Sequence, residues 1–224
     1  MPYKQAPQKL RVFLVKKLNV SFKEALKLFQ NNKILLNGKK ANPIDVVTRF
    51  DEVKVSGEII QPGKKFIYIK FNKPRGIEST LNKTIPDNLT TVFNYPEKLF
   101  PVGRLDKESE GLMIFTNDGE YYKRITDKNN DIEKEYVVTV NKPISTEFIQ
   151  QMENGVKIMG KMTKKAILKP FTEISFNIIL TEGMNRQIRR MCYKLGYEVG
   201  SLKRIRIDDV LLGDLKTGEC SKIK

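Results

Sequence analysis

The sequence predicts an α+β protein of two parts, a small basic αα/β domain followed by a larger domain on a mainly antiparallel, mixed sheet. Three observations carry that reading. Apolar residues recur at helical spacing twice between residues 9 and 30 and then give way to an Asn-Gly turn. Glycine, proline and paired lysines follow at 57–65. Beyond them stand five strand-like runs, separated by long loops and a few helical stretches.

In the first part, Leu10, Phe13, Leu14 and Leu18 mark one face of a helix within 9–19. Ser21 with Glu24 three residues later is a capping-box signature, and it opens a second helix running to about Gln30. That helix is expected to carry Phe22, Leu26 and Phe29 on one face and Lys23 and Lys27 on another. Residues 34–41 read as a strand, an Asn37-Gly38 turn and a return strand. The stretch 57–65 reads as a linker, which gives domains at 1–60 and 66–224 with the joining segment at 61–65. In the second domain the strands fall at 66–71, 112–116, 134–140, 174–180 and 202–207. Helices fall near 121–126, 146–153 and 185–195.

Composition narrows the function. With 40% hydrophobic and 30% charged residues, the 224-residue chain has the make-up of a soluble globular protein. No segment approaches the roughly 18 uncharged apolar residues of a membrane span. The start, MPYKQAPQKL, lacks the apolar core of a signal peptide, so a cytoplasmic location is expected. The absence of histidine removes every mechanism that needs a His base, and with two distant cysteines it leaves no Cys/His metal site. The net charge of +15 is concentrated early: residues 1–60 hold 12 Lys and Arg against 5 Asp and Glu, whereas the other 164 hold 29 against 21. A dense positive field of this kind fits a polyanion, nucleic acid before anionic lipid.

The stretch VGRLDKESEGLMIFTNDG (102–119) sets one carboxylate, Asp106, in a loop between glycines just before an apolar strand. Taken alone, Asp106 reads as a turn cap. Three other places change that reading: FNKPRG (71–76), where a strand runs into a Lys-Pro turn; KEYVVTV (134–140), which puts Tyr136 on a strand; and EGMNRQIRRM (182–191), an arginine-dense strand-to-helix junction. In the helix phase of that junction Arg189 borders an apolar stripe of Met184, Ile188, Met191, Cys192 and Leu195, while Arg186 and Arg190 point outward.

These motifs, in this order and over nearly the whole chain, resemble the ribosomal-RNA pseudouridine synthases that carry an N-terminal S4 RNA-binding domain. The S4-like part covers about residues 8–56 and departs from the family pattern at Phe22, where arginine is usual. The likeness is closest to the large-subunit branch, through NDIEKEYVVTVNKPI and the Thr-Lys-Lys of MTKKAIL. The resemblance implies an S4-like αα/β domain ahead of a pseudouridine synthase catalytic domain, 23S ribosomal RNA as partner, and no cofactor or metal. It implies an isomerisation in which the bond from uracil N1 to the ribose breaks, the base turns, and C5 takes its place.

By the same resemblance Asp106 is the essential carboxylate, and Arg189 its cationic partner in a bidentate pair. Tyr136 stacks on the target base, and Arg104 fills the space left by the flipped nucleotide. Lys73 is either a substrate contact or a turn lysine, with Pro74 and Gly76 shaping the turn. Arg186 and Arg190 are phosphate contacts or plain surface. Lys16, Lys17, Lys23, Lys27 and Lys39 give the first domain its phosphate-binding face. A monomer is the default. Small-subunit RNA or a transfer RNA remains an alternative substrate. A non-catalytic ribosome-assembly protein, or a hydrolase pairing Asp106 with Glu108 or Glu110, is the alternative function.

Overall fold

The structure, a computed structural model, describes residues 7–223. The chain divides between Lys65 and Phe66 into two compact units.

In the first unit β1 (Gln8–Lys9) leads into α1 (Leu10–Leu18), which buries Leu10, Phe13 and Leu14 and stops at Asn19 in the left-handed region. Helix α2 (Phe22–Gln30) opens on a reciprocal capping box. Ser21 Oγ accepts from the Glu24 amide at 3.2 Å, and the Glu24 carboxylate accepts from the Ser21 amide at 2.7 Å. Two amides that a helix start leaves unpaired are thereby satisfied. Asn37 and Gly38, both at positive φ, make the tight turn between β2 (Ile34–Leu36) and β3 (Lys39–Lys40). Strand β4 (Val46–Val47) pairs with β1, while β5 (Val53–Val55) and β6 (Glu58–Gln61) complete a sheet of order β3-β2-β5-β6.

Two expectations fail in this unit. Phe22 lies off the core, 47% exposed, with the Arg11 guanidinium 5.2 Å over its ring. Helical side chains lean toward the N-terminus, so at the first helical position the ring projects past the buried face of Ala25 and Phe29. The stretch 57–61 is not linker. Ser56 and Gly57, both at positive φ, form a second two-residue hairpin turn that returns the chain as β6.

The second unit is built on a nine-stranded sheet. Its strands are β7 (Tyr68–Lys73), β8 (Phe100–Val102), β9 (Glu110–Thr116), β10 (Lys134–Val140), β13 (Ile167–Thr172), β14 (Ser175–Leu180), β15 (Val199–Ile207), β16 (Val210–Leu211) and β17 (Cys220–Lys222). The order is β13-β14-β10-β15-β9-β7-β17, with β8 on β9 and β16 on β15. Every pairing is antiparallel except β9 with β15. Helices α3 (Gly119–Thr126), α4 (Thr146–Asn154) and α5 (Gln187–Lys194) and the small hairpin β11 (Lys157–Ile158) to β12 (Lys161–Met162) complete it.

Strand β9 is buried on both faces, which is why LMIF reads as an unbroken apolar run. Met113 and Phe115 enter one cluster with Ile69 and Phe71, and Leu112 and Ile114 enter another with Val102 and Ile207. The Asn-Asp-Gly after it is structural: Asp118 caps α3 by accepting from the amides of Glu120 and Tyr121.

The parallel join of β9 to β15 depends on Gly111. Its φ is +103°, and a Cβ there would stand 2.3 Å from the Arg204 carbonyl oxygen. Gly111→Ala should therefore destabilise the second unit by about 3 kcal/mol, from overpacking and backbone strain together. Denaturant unfolding checks this, and a loss below about 1 kcal/mol would show that the join tolerates a side chain.

Candidate active site

The loop from β8 to β9 turns at Gly103, at φ +78°, and places Asp106 between two buried residues, Leu105 and Ser109. Five successive carbonyls of this loop each have a donor. Arg104 O accepts from Arg204 Nη1 at 3.4 Å, and Leu105 O from Ser79 Oγ at 2.6 Å. Asp106 O accepts from the Ser109 amide at 3.0 Å, Lys107 O from the Gly76 amide at 2.8 Å, and Glu108 O from Arg189 Nη2 at 3.1 Å. Ser79 Oγ also accepts from the Leu105 amide at 3.0 Å, so it grips that residue on both sides. All but one of these donors come from distant sequence.

The Asp106 carboxylate itself is half-buried and takes part in no hydrogen bond or ion pair among the described residues. It borders a cleft of about 590 Å³ lined also by Arg104, Lys134, Tyr136, Arg186 and Arg204. Tyr136 lies on β10 directly opposite Arg204 on one side and Ile178 on the other, so these three side chains share one face of the sheet. Arg104, beside Asp106, is exposed, and Arg190 is exposed with its guanidinium on the carbonyl and side-chain oxygens of Asn185.

Arg189 does not form the expected bidentate pair with Asp106. Its Nη1 donates to Val199 O at 3.2 Å, and its Nη2 to Glu108 O and to Ser109 Oγ at 3.3 Å. Those bonds engage both terminal nitrogens and leave Nε buried without a partner among the described residues. Burial pushes the guanidinium's pKa down, helped by Arg186, while Glu108 and Asp106 act against the shift. Arg189 therefore reaches Asp106 only through space and holds the loop's backbone directly.

Lys73 is not an RNA contact. It is fully buried, and its Nζ donates to the carbonyls of Pro74 at 2.7 Å and Ile77 at 2.8 Å. It shapes the turn whose Gly76 amide grips Lys107. Arg186 pairs with Glu108 at 2.6 Å, and that hydrogen bond holds the Glu108 carboxyl below its ordinary range. With Glu108 so engaged, the two-carboxylate hydrolase loses its nearer second carboxylate. Lys16, Lys17, Lys23, Lys27 and Lys39 are all exposed in the first unit, and none pairs with a carboxylate among the described residues.

The sequence reading missed Arg204 and Ser79. Arg204 is 3% exposed, donates from Nε to Leu112 O at 2.7 Å, and leaves Nη2 buried without a partner. Its signal lay in LKRIRI, where strand alternation puts an arginine on the same face as buried Leu202. Ser79 carries no comparable signal; only the tertiary contact reveals it.

Residues 67–194 match the family described as RNA pseudouridylate synthase. The chain belongs to this family. Among pseudouridine synthases it is 45% identical to the dual-specificity RNA pseudouridine synthase RluF of Escherichia coli K12, over 89% of this chain and 69% of that one. It is 31% identical to the ribosomal large subunit pseudouridine synthase B of Bacillus subtilis, over 91% of this chain and 86% of that one. A crystal structure of a pseudouridylate synthase superposes with a TM-score of 0.68 at 28% identity, covering 96% of each chain. The mixed, antiparallel-rich sheet is thus that of the synthases.

Lys73 makes stability depend on pH. Burial pushes its ammonium down to about 8, against roughly 10.4 in an unfolded chain. The folded value is the lower one, so between the two the unfolded chain binds the extra proton and stability rises with pH. Unfolding free energies at pH 7.5 and 9.5 should show wild type gaining about 1–2 kcal/mol relative to Lys73→Met at the higher pH. A difference that does not vary with pH would contradict the burial of a charged Lys73.

Proposed function

We propose that this pseudouridine synthase isomerises a specific uridine of large-subunit, 23S ribosomal RNA, with Asp106 as its essential carboxylate. The observation that carries this reading is an unengaged carboxylate on a fully pinned loop, opening into a cleft walled by Tyr136 and cations. Nothing among the described residues competes for the Asp106 oxygens, so a substrate finds them free.

In the reaction the bond between C1′ and N1 breaks, the uracil turns, and C1′ bonds to C5. The C5 hydrogen leaves as a proton and N1 gains one, so atoms and charge balance without any co-reactant. An ionised carboxylate in a cleft can attack the nucleotide or stabilise a positive sugar centre. Tyr136 offers a ring for the base to stack against. Arg104, a planar cation beside Asp106 in the lining, suits the gap that the flipped nucleotide leaves in its helix. Flipping costs about a few kcal/mol, and contacts made elsewhere on the RNA have to offset it. Exposed Arg190 and the five lysines of the first, S4-like unit supply such contacts through phosphates.

The name of the Bacillus subtilis relative supports the large subunit as target, and that of the Escherichia coli relative supports action on a second RNA. A cytoplasmic monomer fits both.

Tritium release from RNA labelled at uridine C5 tests the reading, using large-subunit, small-subunit and transfer RNA from cells lacking the protein. Wild type should release tritium from large-subunit RNA, and Asp106→Ala and Asp106→Asn should release none while remaining folded. Turnover in either variant would overturn the role of Asp106. Tight binding without release from any of the three RNAs would favour the assembly-protein reading.

A further inference from the structure

Next to the Asp106 cleft, and sharing Arg186 with it, lies a groove of about 770 Å³ between α5 and the turn from β11 to β12. Lys157, Arg190 and Lys194 line it as exposed cations that pair with no carboxylate among the described residues. Glu198 is the only acid in the lining among the described residues. Tyr193 lines the groove too, 77% exposed and with no ring or cation stacked on it among the described residues. The opposite face of α5 already fills the core with Ile188, Met191 and Cys192, so packing does not account for an aromatic ring on this side.

The hairpin tip adds a second oddity. Met159 takes the first position of a two-residue turn at φ +50°, where Asn or Gly is usual, and it exposes 60% of its surface beside the groove. Two costly features, a strained methionine and a bare tyrosine, thus meet among cations. Strain and exposure kept together at one place mark a working surface.

We propose that this groove is a second RNA subsite. It receives an unpaired base of the substrate near the target uridine, stacked on the Tyr193 ring and edged by Met159. The flanking phosphates lie on Arg190, Lys194 and Lys157. The proposal rests on the reading of this chain as a synthase acting on RNA. An open aromatic face among cations is what single-stranded nucleic acid binding requires, since every base has a face to stack. Drawing a uridine out of its helix leaves its former partner base unpaired and its neighbours less well stacked, and the groove borders the cleft at Arg186. The excess of cations over acid favours a polyanion over a protein surface.

The test compares Tyr193→Ala, Tyr193→Phe and Phe171→Ala with wild type. Phe171 is an exposed aromatic on β13 outside the groove. The probe is the ribosomal RNA that wild type converts, and both its Kd and its half-saturation in tritium release are measured. Tyr193→Ala should raise both on the order of tenfold. Tyr193→Phe should restore them, and Phe171→Ala should change neither. A Tyr193→Ala affinity equal to wild type on that RNA would overturn the subsite. A defect seen only on ribosomal particles, with naked RNA unaffected, would also overturn it and indicate a protein contact. Absence of release by wild type would instead remove the function on which the proposal rests.

Discussion

The structure depends on one constraint: the loop that carries Asp106 cannot satisfy its own backbone. A carbonyl shielded from water without a donor costs about 1–3 kcal/mol, and here five in succession, from exposed Arg104 through buried Leu105 to Glu108, each find one. One comes from the loop itself, and four come from Gly76, Ser79, Arg189 and Arg204, each far away in sequence. The site therefore forms only when the sheet is complete, because β15 brings Arg204, α5 brings Arg189, and the Lys73–Gly76 turn brings an amide. What results is a carboxylate fixed in space by bonds to its neighbours' backbone, its own oxygens unengaged among the described residues.

The chain's cations divide accordingly. Lys73, Arg189 and Arg204 are wholly or partly buried and donate mainly to carbonyls, Arg189 also to Ser109 Oγ, with no carboxylate partner among the described residues. Burying such groups is expensive, and the lowered pKa of Lys73 records it. Arg104, Arg190 and the lysines of the first unit stay exposed, where they contribute little to folding and much to a polyanion's affinity. Stability is given up in the interior to fix one carboxylate, and the surface charge is left for the RNA contacts proposed above.

How much of this was legible in the sequence follows from the range of each signal. The Ser21–Glu24 cap and the Asn37-Gly38 turn are local, and both stand as read. The central strands were legible from their apolar runs, and α5's buried stripe from its period. The Ser56-Gly57 turn carried the same kind of signal as Asn37-Gly38, yet the proline and lysines after it resembled a linker. Periodicity placed Arg189 correctly at the border of the stripe, but it does not say which acceptor a flexible guanidinium meets. Lys73 beside a proline gave no hint of burial, since a turn lysine is usually solvated. The partners of the Asp106 loop lie about 26 to 100 residues away, beyond anything a local pattern encodes.

If the held loop is what makes Asp106 work, as proposed above, Ser79 separates that dependence from charge. Its hydroxyl bonds Leu105 on both sides and does not touch the carboxylate. The measurement is the single-turnover rate of pseudouridine formation by Ser79→Ala at saturating RNA, beside a thermal melt showing that the variant is folded. A shift of the carboxylate by even 1 Å can cost about 10²-fold, so Ser79→Ala should run on the order of 10- to 100-fold below wild type. A folded Ser79→Ala that turns over at the wild-type rate would contradict that dependence.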